Sequence, residues 1–262
     1  MSEIRESIRS LYAVNLLEGE GVGTAYEYYA KSKKLKRFLH AIGRPKRILI
    51  AGLPERYGLS MDFFLLGDRL DAEMVVIDER PDALERAGNV IEALRSEGRF
   101  HNTKIRFLES DPVLELGVKE FADQKFDLAL SSEVYQRLEG AQSRYISNLK
   151  RLAKNIAIFA PNQGNGSHIR LSGLRSVGLE DLLEGFREGG SGGTIFDYGY
   201  VDMPPFPPGL TRSQGKREQA AESRIEAFLM KGLEIYSLFE DMIPLFIKEK
   251  LAHIVYLMSM SG

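Results

Sequence analysis

Residues 47–52, Arg-Ile-Leu-Ile-Ala-Gly, form a continuous branched apolar run that stops at glycine. Such a run suits a strand buried on both faces of a parallel sheet. A second run, MVVID, ends at Asp78, and from Pro81 to Glu97 the apolar residues Ala83, Leu84, Ala87, Val90, Ile91 and Leu94 recur at helical spacing. Pro81 falls in the first turn, where its missing N–H is tolerated. The unit is therefore strand then helix, and it repeats. IRFLES (105–110) precedes a short helix after Pro112. FDLALS (126–131) precedes a helix carrying Tyr145, Ile146, Leu149, Leu152 and Ala153, and NIAIFA (155–160) follows.

Alternation of this kind predicts a Rossmann-like, doubly wound α/β sheet with helices on both faces and ligands outside the carboxyl ends of its strands. TIFDYGYV (194–201) and AHIVYLMSM (252–260) raise the strand count to seven. The sheet is expected to be mostly parallel, its last strand antiparallel. The first 44 residues read as a helical cap, and residues 45–262 as the α/β domain, with insertions at about 162–193 and 203–240. The second insertion carries MPPFPPG (203–209), too rich in proline for a helix or a central strand, and an amphipathic helix from about Gln214 to Glu240.

Composition narrows the function. Lys plus Arg number 35 against 37 Asp plus Glu, a net charge of −2, so no overall field favours polyanions. A chain without cysteine has no disulfide, thiolate nucleophile or Cys-ligated metal, and its four histidines (His40, His101, His168 and His253) are too far apart in sequence for a metal pair on one helix. The charged start and the absence of a long apolar run point to a cytoplasmic protein with no membrane partner. Eight cations lie between Lys31 and Arg47 near Tyr26, Tyr28 and Tyr29. That cluster reads as a solvated helix face in preference to an RNA-binding surface.

With five βα units and two further strands, ILIAGLPERYG (48–58), Asp78, LESDP (108–112) and FDLALSSEVYQRL (126–138), the chain resembles the class I S-adenosylmethionine-dependent methyltransferases of small-molecule type. The resemblance is clear over about residues 47–162, but its first glycine-rich motif is degenerate: Pro54 and Arg56 replace small residues, and Ile50 replaces an acid. It implies S-adenosyl-L-methionine as cofactor, held against Gly52, Tyr57, Gly58, Asp78, Glu79, Asp111, Pro112, Ser131 and Ser132, with Tyr28 and Tyr29 closing over it from the amino-terminal helices. Asp78 would accept the ribose hydroxyl protons, and its bland alternative is a helix N-terminal acid. Asp111 would lie beside the adenine, or simply cap a helix ahead of Pro112.

The acceptor is an unidentified small molecule. A base for it would be His168, the one histidine in a polar loop at the ligand edge, or Glu133; for His168 a surface or structural role is the alternative. Two further readings compete: the fold without turnover, as a cofactor-sensing or protein-interaction module, motivated by Ile50 and Pro54; and, ranked lower, an RNA methyltransferase or an NAD-dependent oxidoreductase. The last would need G-x-G-x-x-G where G-L-P-E-R-Y-G stands.

Overall fold

A computed structural model of the chain describes residues 7–111, 121, 125–190, 192–205 and 224–260. The buried apolar runs form the sheet: β1 (Arg47–Ala51), β2 (Glu73–Asp78), β3 (Ile105–Glu109), β4 (Leu128–Ser132), β5 (Asn155–Pro161), β6 (Thr194–Val201) and β7 (Ile254–Met260). Their order is β3-β2-β1-β4-β5-β7-β6. The first five pair in parallel, and β7 runs antiparallel to both β5 and β6. The seven expected strands are all present, and the expected antiparallel last strand separates β5 from β6.

Helices α1 (Ile8–Leu17), α2 (Val22–Ile42), α3 (Met61–Leu70), α4 (Pro81–Ser96), α5 (Gln142–Leu152), α6 (Gly166–Ser172), α7 (Leu179–Glu188), α8 (Arg224–Glu240) and α9 (Leu245–Leu251) flank it. Two apolar clusters result, one on each face. Ile48, Ile50, Met74 and Val76 join α1 to α4, while Leu49, Ala51, Val75 and Ile77 join α5 and α7. Alternate residues of β1 and β2 thus feed opposite cores, which is why these runs are apolar at every position.

The amphipathic helix expected from Gln214 is present from Arg224 onward. Its first ten residues, the helix after Pro112, Pro112 itself and Phe206 lie outside the described residues. No helix among the described residues is long and apolar enough to cross a membrane.

A crevice held by the chain's own charges

The register sets Ala51 beside Ile77 and Ile50 beside Leu130, so β1, β2 and β4 end together. Gly52 turns the chain at φ +91°, its N–H donating to the Ile77 carbonyl (2.7 Å). A Cβ there would stand 2.6 Å from Val134 Cγ2, so backbone sign and close approach both require glycine.

Asp78 is fully buried and faces inward. Its carboxylate accepts from the Leu53 N–H (2.7 Å), from the Arg80 N–H (2.9 Å) and from the Arg80 guanidinium through Nε (2.8 Å) and Nη2 (2.9 Å), with Arg137 Nη2 at 3.4 Å. Burial works against the charge, but Arg80 and the backbone donors outweigh it and hold the carboxyl below its ordinary range. Arg80 also donates to the carbonyls of Leu53 and Pro54 (2.7 and 3.3 Å). It therefore ties the end of β2 to the turn after β1. Glu79 lies half-exposed, 3.4 Å from Arg137.

Further along the turn, acids from the connection between α1 and α2 cover the backbone. Gly58 (φ +65°) donates its N–H to Glu20 (3.1 Å), and Leu59 donates to Glu18 (2.5 Å), which also accepts from the Tyr28 hydroxyl (2.9 Å). Burial pushes the Glu18 carboxyl up to about 8, the hydrogen bonds from Tyr28 and Leu59 offsetting part of the rise. Of the two expected tyrosines, Tyr28 reaches this turn, while Tyr29 packs half-buried against the core. Tyr57 is exposed, and Arg56 leaves the crevice to donate to the Ser172 carbonyl (2.8 Å).

Lys31 departs most from expectation. Instead of facing solvent with the rest of the cationic run it is fully buried, its ammonium 2.8 Å from Glu27, 3.4 Å from Asp62 and 3.2 Å from the Ser132 hydroxyl. The rings of Tyr28 and Phe63 lie 5.0 Å away and that of Phe159 5.8 Å, within cation–π range. Burial pulls its pKa down, and the charges of Asp62 and Glu27 more than reverse this.

The Tyr145 hydroxyl donates its proton to the Ala51 carbonyl (2.7 Å) and accepts from the Ser131 hydroxyl (2.7 Å). Glu133 sits at φ +56°, a conformation uncommon outside glycine and asparagine. Burial and the nearby Glu27 push its carboxyl up to about 8 against the pull of Lys31, and its Oε2 meets no hydrogen-bond donor. Asp111 follows β3, half-buried, one residue after the Ser110 N–H that donates to the Asp78 carbonyl (3.0 Å).

A second cluster lies at the same edge, where β6 ends and β7 begins beside Pro161. His253 donates its N–H to the Asp202 carbonyl (2.7 Å), and its Nδ1 is 3.0 Å from Asp202 Oδ2. The His168 ring stacks on His253 at 3.9 Å, 13° from parallel. Burial pulls His253 down, but the Asp202 charge and hydrogen bond leave it raised; burial pushes Asp202 up to about 6. His168 is lowered to about 3 by burial and by His253, so it is neutral at physiological pH. The sequence singles out His168 but not the Asp202 and His253 that the fold sets beside it. The available signal was that Asp202 follows one strand-like run, 194–201, and His253 stands near the start of the other, 252–260, at neighbouring strand ends once the two runs pair antiparallel.

No family model matches the chain, and no curated protein matches its sequence. Solved structures do. The chain is similar to an S-adenosylmethionine-dependent methyltransferase from Clostridium acetobutylicum ATCC 824, with a TM-score of 0.51 at 10% identity over 90% of this chain and 92% of that one. It is also similar to the [4+2]-cyclase SpnF, with a TM-score of 0.50 at 16% identity over 86% and 79%. The fold is that of the class I methyltransferases. One neighbour is named for methyl transfer and the other for cyclisation, so the fold alone does not assign the reaction.

Proposed function

We propose that the chain is an S-adenosylmethionine-dependent methyltransferase acting on a small-molecule acceptor. The observation that carries the reading is Asp78. It is a buried carboxylate at the end of β2, beside the φ-positive turn of Gly52, with both oxygens turned to paired donors. A ribose presents the same pair. The donors now in place belong largely to Arg80, a side chain 24% exposed and so open to solvent on one side, toward which it would rotate to leave. The donor set therefore fits the adenosyl end of the cofactor once Arg80 gives way. Asp78 would hold the ribose, while Gly52 would allow close approach of the backbone.

Bound there, S-adenosylmethionine supplies an electrophilic methyl group on sulfur. The chain's part is orientation and the acceptor's proton. His253, held in one orientation by Asp202 and flanked by His168, is the base placed for an acceptor at the β5–β7 edge. Glu133, with its raised pKa, is mostly protonated at neutral pH and is the weaker candidate. Formation of S-adenosylhomocysteine from S-adenosylmethionine in a small-metabolite extract tests the reading. His253→Ala is expected to lower that rate by about 10²–10⁴ with cofactor affinity unchanged; an unaltered rate removes His253 from the chemistry.

A second reading, the fold without turnover, is favoured by Lys31. The ammonium and its two acids fill the space beside Ser132 and Glu133, at the edge where the cofactor's methionine part would lie. Binding without methyl transfer, or no binding at all, selects this reading.

A further inference from the structure

Between Phe228 and Leu251, nine large apolar side chains stand exposed, among them Phe228 and Met242 at 79% and Phe246 at 70%. On α8 they form a stripe, Phe228, Ile235 and Phe239, separated by seven and four residues and passing over Gly232, where an added Cβ would meet nothing within 4 Å, and Met242 follows in the turn after the helix. The opposite side of α8, with Met230 and Ser237 buried, already faces the body of the protein, and Leu245 and Phe246 at the start of α9, a few residues on in the chain, are exposed as well. Spacing of three and four along a helix makes a seam for another helix.

We infer that this face binds a second copy of the same chain, α8 packing on α8 across a two-fold axis. Area supports the assignment. Since a whole aromatic side chain presents roughly 150–250 Å², the nine together offer on the order of 1,000 Å², against about 800 Å² per partner in a stable interface. The largest apolar patch on a typical monomer is roughly 300–600 Å².

The segment that leads into α8 is a poor cover, since residues 206–223 contain only Phe206 and Leu210 as large apolar residues. Charge disfavours a lipid surface. Residues 228–251 hold three lysines against four acids, without the cationic excess that draws a helix to anionic lipid. Lys231 is paired with Glu234 (2.6 Å), and Asp241 with Lys34 and Lys33 (2.8 and 3.1 Å), so the border carries both signs and opposes its own copy little. A self-complementary patch closes in a dimer.

Sedimentation velocity of the full chain at micromolar concentration tests the inference. The wild type is expected to sediment as a dimer, and Phe239→Glu and Met242→Lys are each expected to weaken association by roughly 30-fold or more, as at a central hot spot. Both side chains are exposed, so circular dichroism should be unchanged. Because the chain has no cysteine, Ile235→Cys should give a symmetric cross-linked dimer under oxidation. A monomeric wild type overturns the inference, as does a dimer that survives both charge substitutions. So does a monomer that floats with phosphatidylserine vesicles.

Discussion

Lys31→Met is expected to lower stability by about 3–5 kcal/mol, the range for removing one partner from a buried ion pair. In a chain of this size that moves the thermal midpoint down by on the order of 10 °C. The methionine nearly matches the lysine stem in volume, so packing changes little while Glu27 and Asp62 lose their cation in a site lined by Phe63 and Phe159. The loss should deepen with pH. Glu18 and Glu133 hold their protons up to about 8 in the folded state and release them near 4.5 when unfolded. Their contribution is therefore fully present at low pH and falls as pH rises from the ordinary carboxylate range toward 8. Lys31 is the cation that moderates the rise of Glu133, so the variant should be more destabilised at pH 8 than at pH 6. Thermal scans at the two values check this; an unchanged midpoint would mean that the acids find other partners.

Asp78→Ala carries the second large effect. The substitution leaves the buried Leu53 N–H without its acceptor and frees Arg80 and Arg137 from a shared carboxylate. An unmet buried donor costs about 1–3 kcal/mol, and the two guanidiniums, which reach solvent, add a smaller amount. A total of about 2–4 kcal/mol is expected. The pH dependence runs opposite to that of Glu18. Because the Asp78 carboxyl is lowered in the fold, its contribution is present above the unfolded value of 3.8 and is lost as pH falls through the folded one. Urea unfolding at neutral and acid pH separates the cases: the wild type should lose its advantage over Asp78→Ala only in acid. Equal stability at neutral pH would contradict the bonding around Asp78.

These effects mark where sequence and structure part. The strands were legible because β1, β2, β4 and β5 bury both faces and so read as unbroken apolar runs; Gly52 was legible because a run stopped there. Asp78 was legible by position. Its partner was not: nothing in ERPD says that Arg80 folds back onto the acid two residues earlier. Lys31 shares a run with seven other cations, and its burial is decided by Asp62 and Ser132, far off in the chain, together with Glu27 one turn before it. Asp202 and His253 are joined only through the antiparallel pairing of β6 with β7. Contacts between distant residues are set by topology, and a local pattern carries no record of them.

The central claim is that the Asp78 crevice is a nucleoside site whose ribose position Arg80 holds in the absence of ligand. Calorimetric titration of S-adenosylhomocysteine into wild type and Arg80→Ala tests it most directly. Removing a competitor bound through charge-assisted hydrogen bonds worth about 1.5–3 kcal/mol should tighten binding by roughly tenfold or more. Heat from neither protein, or weaker binding by Arg80→Ala, would contradict the account.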